Sequence, residues 1–451
     1  MSRKLFGTDG IRGVAGEFPL DRPTVFAIGR ALGHHLSQKT RSPRVVLGQD
    51  TRESSGWIAD VLIAGLATWN IESSSAGVIT TPGVAYLARE LGYAAGVVIS
   101  ASHNPWNDNG IKVFGGDGYK LPDETELSIE QEIFRLLQDA ATPQSQVVVE
   151  SSLPGRADLR ERYEKWLKTR IESPRIEGKV VIDCANGAAS NIAPELFAML
   201  GLDADFIHHH PNGRNINDHC GALHPQIVAQ EVKRRNGVLG VTFDGDADRA
   251  LFADRHGNVV NGDAVLLMAA RDLQGRQQLD SATLVATTMS NMGLEAALKS
   301  SSIRMLRAPV GDKYVLEEMR KTGAVLGGEQ SGHIIFSRLA TTGDGLLTAL
   351  IVLDILSRNG KQLDALVGDL KVFPQVIKNV RVREKIALDQ LAVVSAAIKE
   401  AESELAGSGR VVVRYSGTEP LARVMIEAES ESQMERHAEA IAAAIRREIG
   451  A

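Results

Sequence analysis

Cysteine is almost missing from this chain: Cys184 and Cys220 are the only two in 451 residues. A disulfide framework is thereby excluded, and a reducing cytoplasm is the compartment this usage favours. Long apolar runs are missing as well. No stretch approaches the ~20 residues of a membrane-spanning helix, and the basic opening Met1-Ser2-Arg3-Lys4 has no apolar segment behind it to act as a secretion signal. Nor is positive charge in excess: 50 Lys and Arg stand against 56 Asp and Glu, for a net charge of -6. Both signs are interspersed, which leaves no basic stripe for nucleic acid and no polybasic segment for a membrane surface, so an anionic ligand must be gripped locally. Walker A and Gly-x-Gly-x-x-Gly signatures do not occur, which argues against a nucleotide as phosphoryl donor. His208, His209, His210, His219, Cys220 and His224 crowd one stretch, yet no Cys-x-x-Cys or spaced His pair supports zinc there.

What is present is alternation. Short apolar runs are followed by longer amphipathic ones, the pattern of βαβ units, and the length allows about three or four domains. The expectation is an α/β protein with strands over 44–48, 94–100, 180–183, 238–243, 283–287, 303–307 and 324–327, and helices over 57–69 and near 190–200. From about 369 the character changes to strands over 410–414 and 422–426 and an Ala-rich helix from roughly 430 to 449, which reads as a small α+β lid. The expected domains are 1–150, 151–250, 251–368 and 369–451.

Polar motifs follow three of these strands, at the end where open α/β sheets place their ligands. After 94–100 comes Ser102-His103-Asn104-Pro105, with Lys112 ten residues on and glycines at 110, 115, 116 and 118 that suit tight turns. Ser102 lacks a Gly-x-Ser-x-Gly frame, so no hydrolase elbow is present. After 238–243 comes Asp244-Gly245-Asp246-Ala247-Asp248-Arg249. Its alternating carboxylates offer hard oxygen ligands suited to Mg²⁺ or Ca²⁺, and an EF-hand is excluded because Arg249 and Arg255 occupy the positions of its Gly and Glu. After 324–327 comes Gly328-Glu329-Gln330-Ser331-Gly332-His333, where a carboxylate can meet vicinal hydroxyls and His333 can move a proton. A fourth segment, Arg414-Tyr415-Ser416-Gly417-Thr418-Glu419-Pro420, forms a nest suited to a phosphate dianion. A serine beside a hard cation site suggests a phosphoryl carrier, since a phosphoserine needs only placement and charge neutralisation to transfer its group.

In this order the four motifs resemble those of the α-D-phosphohexomutase superfamily: phosphoserine loop (100–105), metal loop (244–249), sugar loop (328–333) and phosphate loop (414–420). The similarity spans nearly the whole chain. Gly7-Thr8-Asp9-Gly10-Ile11-Arg12-Gly13 and Gln330, where relatives acting on glucose and mannose phosphates commonly carry Met or Glu, narrow it to a bacterial branch acting on amino sugars.

The resemblance implies three similar α/β domains with mixed sheets, plus a smaller C-terminal domain closing over a central cleft. It implies that Ser102 is the phosphorylated residue and that Asp244, Asp246 and Asp248 hold Mg²⁺ together with a phosphoserine oxygen. Arg249 would stabilise charge nearby, Lys112 and His333 would carry protons, and Arg12 would line the centre. Glu329 and Ser331 would grip the sugar; Arg414, Ser416, Gly417 and Thr418, with Arg423 as a weaker candidate, would hold the phosphate that is not reacting. Lys313 reads equally as a substrate contact or as a helix start. The expected reaction interconverts the 6- and 1-phosphates of a hexosamine through a 1,6-bisphosphate, which also serves as activator, on the route to amino-sugar nucleotides. Glucose or mannose phosphate as substrate, and a non-catalytic sugar-phosphate sensor, stay open, as does the choice between monomer and homodimer.

Overall fold

Residues 4–138, 153–171, 174–416 and 420–451 are described by the structure, a computed structural model. Its first sheet grows from wholly apolar segments. Ala95–Ile99 is buried along its whole length, as a strand must be when helices cover both faces of its sheet. The sheet comprises β1 (Phe6–Gly7), β2 (Gly10–Val14), β3 (Arg44–Gln49), β4 (Glu72–Val78), β5 (Ala95–Ile99) and β6 (Asp108–Gly115), in the order β1-β2-β6-β5-β3-β4. β5, β3 and β4 run parallel, whereas β6 is antiparallel to both β5 and β2. The sheet is therefore mixed. Lys112 sits on β6 instead of in a loop, and Gly110 and Gly115 are strand residues; Gly116 and Gly118, the latter with φ at +79°, lie in the turn expected of them.

A second sheet contains β7 (Val180–Asp183), β8 (Ala204–Ile207), β9 (Leu239–Phe243), β10 (Ala250–Asp254) and β11 (Val259–Val260), in the order β11-β10-β9-β7-β8. β10 and β11, which lie past residue 250, pair within this sheet. The third holds β12 (Thr283–Thr287), β13 (Arg304–Ala308), β14 (Leu326–Gly328) and β15 (Ile334–Phe336), in the order β13-β12-β14-β15. These three sheets lie in one compact unit, residues 1–289 with 303–367.

The other unit is 290–302 with 368–451. Its sheet is antiparallel throughout: β16 (Gln375–Arg381), β17 (Gly409–Tyr415) and β18 (Leu421–Ala428), in the order β16-β18-β17. Helices Ala392–Glu404 and Glu431–Ile449 pack on it through Val394, Ala401, Ala438, Ile441 and Ile445. The segment 290–302 joins this unit because Asn291 Nδ2 donates to Glu427 Oε1 at 2.8 Å and to the Phe373 carbonyl at 3.0 Å. Among the described residues no helix is long and apolar enough to cross a membrane.

Candidate active site

Ser102 stands three residues past β5, and its φ of +52° turns the chain sharply there. Its hydroxyl is buried and donates to Asp244 Oδ2 at 2.6 Å. Its carbonyl is fixed from two sides. Arg52 Nη2 donates to it at 3.1 Å and Asn217 Nδ2 at 2.9 Å, and the same two groups reach the Asn104 carbonyl. Arg52 is in turn locked in a buried ion pair with Asp50. The serine loop and the metal loop touch backbone to backbone: a Cβ on Gly245 would lie 2.4 Å from the Ser102 carbonyl oxygen, closer than any side chain tolerates.

Asp244, Asp246 and Asp248 are all buried, each offering a carboxylate oxygen within 4.8 Å of the others. Asp246 Oδ2 accepts from Thr81 Oγ1 at 2.5 Å and from Lys112 Nζ at 2.8 Å. Oδ1 of Asp246 and Oδ1 of Asp248 are buried with no hydrogen-bond partner among the described residues. Burial, Asp248 and Asp246 push the Asp244 carboxyl well up. Burial also opposes charge on Asp248, but His333, Lys112 and Arg249 outweigh it and hold that carboxyl low. Two oxygens without a hydrogen bond in an all-carboxylate cluster, one of them with Arg249 Nε 3.7 Å away, fit a small hard cation such as Mg²⁺.

Lys112 is fully buried, 2.8 Å from Asp9 and from Asp246. Burial favours the neutral amine, yet Asp246, Asp9 and Asp248 reverse this and keep it an ammonium. For His333, burial is likewise outweighed by Asp248, 3.5 Å from Nδ1, and the ring is pushed up to about 9. The Gly343 N–H donates to Nε2 at 3.0 Å, which requires the lone pair there and works the other way, favouring a neutral ring with its proton on Nδ1. His103 is lowered to about 4 by burial, Arg249 and Arg12, so it is neutral at pH 7.

Of these groups Asp248, His333 and His103 line a cavity of about 420 Å³, with Gly7, Thr8, Asp9, Gly10, Arg12, Arg249, Gly311, Asp312 and Glu329 among others, whereas Ser102, Asp244, Asp246 and Lys112 are buried and are not part of its lining. Arg12 pairs with Asp9. Glu329 is oriented by the Gly311 N–H at 2.9 Å and by the Ser331 hydroxyl at 3.3 Å. Gln330 does not line the cavity: its amide reaches Asp263 Oδ2 at 3.3 Å. The residue that marks an amino sugar in the sequence is thus no cavity contact in this arrangement. Lys313 lies in the first turn of a helix, Asp312–Thr322, and pairs with Asp123, so the helix-start reading holds.

In the other unit, Arg414 on β17 is directly opposite Arg423 on β18. Like charges opposed across an antiparallel pair repel, and an anion between them relieves this. Ser416 is buried, its carbonyl accepting from Lys385 Nζ at 2.6 Å. Gly417 and Thr418 lie outside the described residues.

Sequence reasoning gave no role to Asp9, Arg52, Asn217, Lys120 and Asp312, each of which has a partner at least 50 residues away: Lys112 and Lys120 for Asp9, the Ser102 carbonyl for Arg52 and Asn217, and each other for Lys120 and Asp312. It also missed that Asp183 stands with His208 and Cys220, ligand atoms within 4.8 Å. Asp183 accepts from Ala185 N and Gly221 N and lies 3.1 Å from His208 Nδ1, which accounts for the cluster as a brace for two turns. Burial and Asp183 push the Cys220 thiol up to about 12.

Four models of phosphoglucomutase/phosphomannomutase domains match the chain: domain I over 3–140, domain II over 161–257, domain III over 261–373 and the C-terminal domain over 377–444. A phosphoglucosamine mutase of Koribacter versatilis is 62% identical, covering 99% of this chain and 98% of its own length. One of Solibacter usitatus is 54% identical with both chains fully covered. A crystal structure of a phosphoglucomutase/phosphomannomutase family protein from Burkholderia thailandensis superposes with a TM-score of 0.80 at 23% identity, over 98% of this chain and 97% of that one. The N-acetylphosphoglucosamine mutase of Aspergillus fumigatus, solved with GlcNAc-6P and magnesium, gives a TM-score of 0.65 at 18% identity, over 99% and 96%.

Proposed function

Since the chain belongs to the phosphoglucomutase/phosphomannomutase family, of the α-D-phosphohexomutase superfamily, we propose that the cavity beside Ser102 performs phosphoglucosamine mutase chemistry, interconverting glucosamine 6-phosphate and glucosamine 1-phosphate. One observation carries the site reading: the Ser102 hydroxyl is 2.6 Å from Asp244, inside a buried carboxylate cluster in which two oxygens have no hydrogen-bond partner among the described residues.

In the proposed cycle Ser102 carries a phosphoryl group. Its Oγ–P bond breaks as a bond forms to the free hydroxyl of the hexosamine monophosphate, giving a 1,6-bisphosphate. That molecule turns end for end and returns its other phosphate to Ser102 Oγ. Asp244, Asp246 and Asp248, with a phosphoserine oxygen, would hold Mg²⁺, whose chemistry when bound is to neutralise charge on the transferring group. The attacking hydroxyl must lose a proton and the departing oxygen must regain one. Lys112, kept an ammonium by its carboxylates, is the group loaded to give a proton, and His333 is assigned the other proton transfer. Arg249 offsets charge beside Asp248, and Arg12 lines the approach. Glu329 and Ser331 are assigned to the sugar hydroxyls. Arg414, Ser416, Gly417 and Thr418, with Arg423, are assigned to the non-reacting phosphate. A hexose or hexosamine 1,6-bisphosphate would prime the serine, and the cytoplasm is the proposed location.

The test is purified protein with Mg²⁺ and a trace of glucose 1,6-bisphosphate, offered glucosamine, glucose and mannose phosphates. The highest kcat/KM is expected for the glucosamine phosphates. A preference for mannose or glucose phosphate would reassign the substrate, and absence of turnover on all three would overturn the activity.

A further inference from the structure

Beside the cavity runs a closed ring of alternating acidic and basic side chains. Lys112 Nζ is 2.8 Å from Asp9, Asp9 is 2.6 Å from Lys120, and Lys120 is 2.5 Å from Asp312. Asp312 is 3.8 Å from His333 Nε2, His333 Nδ1 is 3.5 Å from Asp248, and Asp248 is 3.9 Å from Lys112. Each carboxylate stands between two basic groups. Both proposed proton carriers belong to the ring; Lys120, like Lys112, is not in the cavity lining and stands behind Asp9 and Asp312, which are.

Lys120 comes from the turn after β6, fixed by a bridge to Phe114 and by the bond from Gly115 N to the Tyr119 carbonyl at 2.8 Å. Asp312 opens a helix attached to the third sheet. A second bond makes the same crossing, from Thr341 Oγ1 to the Gly118 carbonyl at 2.6 Å. Lys120 therefore ties the turn after the strand that bears Lys112 to the helix whose first residue, Asp312, lies 3.8 Å from His333. Without it Asp9 keeps Lys112 and Arg12, whereas Asp312 keeps only its own helix N-terminus, and the two carboxylates face each other unscreened.

We propose that Lys120 is a positioning residue for the phosphoryl transfer: by bridging Asp9 and Asp312 it sets the spacing between Lys112 and His333. This rests on the mutase chemistry assigned to Ser102, and the two fail differently. Wild-type turnover is measured first, and its absence sinks the activity and not the strut.

Given turnover, Lys120→Met is expected to lower kcat about tenfold or more, a fraction of the ~10²–10⁴ that a placed proton carrier supplies, while KM moves less than about twofold. Lys120→Arg, which retains the cation, should recover most of kcat. Asp312→Asn should reproduce the loss, and the double variant should be no worse than either single one, because both remove the same bridge. Far-UV circular dichroism and melting temperature accompany each variant; if Lys120→Met does not fold, Lys120→Arg and Asp312→Asn decide. Unchanged kcat in folded Lys120→Met, a rise confined to KM, or losses that multiply in the double variant would overturn the proposal.

Discussion

Gly245 shows how a single absent methyl group shapes the site. Its backbone lies so close to the Ser102 carbonyl that Gly245→Ala must part the serine and metal loops. The expected outcome is a loss of mutase activity of about a hundredfold or more, since small displacements at a transfer centre are costly, with a destabilisation of roughly 1–3 kcal/mol readable by urea melting. Ser102→Ala should act on chemistry alone. It removes the hydroxyl and leaves Arg52 and Asn217 on the carbonyl, so turnover should fall by several orders of magnitude with an unchanged melt, and label from glucose 1,6-bisphosphate should no longer reach residue 102. Ser102 and the aspartates are legible in the sequence because each belongs to a local motif: nucleophile, alternating carboxylates, strand end. Arg52 and Asn217 are not. An isolated Arg and an isolated Asn carry no signal until folding sets them against one carbonyl.

At the scale of elements, the helix Gly345–Asn359 begins at a carboxylate. Asp344 accepts from Leu347 N at 2.9 Å as N-cap and from the Tyr163 hydroxyl at 2.8 Å. Burial outweighs these bonds and raises its pKa to about 6. The native state therefore holds a proton more readily than the unfolded chain between about pH 4 and 6, so this group's contribution to stability is greatest below that window and declines as pH rises through it. Asp344→Asn keeps a good cap without the charge. Denaturant melts from pH 4 to 8 should show this component, on the order of 2–3 kcal/mol, in the wild type and not in the variant. Most strands are readable from sequence because buried parallel strands are short apolar runs. β6 escapes such a reading because its sequence, Asp108-Asn109-Gly110-Ile111-Lys112-Val113-Phe114-Gly115, places a charge and glycines inside a strand, and only the carboxylates around Lys112 make that burial tolerable. β10 escapes for a different reason: it pairs back onto β9 through the metal loop, so the sheet continues across what reads as a boundary.

Across the whole molecule, four motifs are spread over four sheets, and their order along the chain is plain from the amino acids alone. Their mutual support is not, because a ring such as Lys112, Asp9, Lys120, Asp312, His333 and Asp248 draws on distant segments. The arginine pair of the C-terminal unit gives a prediction at this scale. Arg414→Ala should raise KM for the sugar phosphate about ten- to a hundredfold, in keeping with loss of a charge-assisted contact worth ~1.5–3 kcal/mol. It should leave priming of Ser102 by glucose 1,6-bisphosphate detectable, and steady-state kinetics beside a labelling assay separate the two effects.

The grip of Asn217 and Arg52 on one carbonyl also constrains how such proteins can be recombined. Asn217 and Gly245 come from the second sheet's loops, Ser102 and Arg52 from the first's. A chimera that grafts either segment from a distant homologue will keep its trigger residue in place only when donor and recipient bring a matching amide and a bare backbone to the seam, so crossover points inside that pair should yield inert hybrids where crossovers outside it do not.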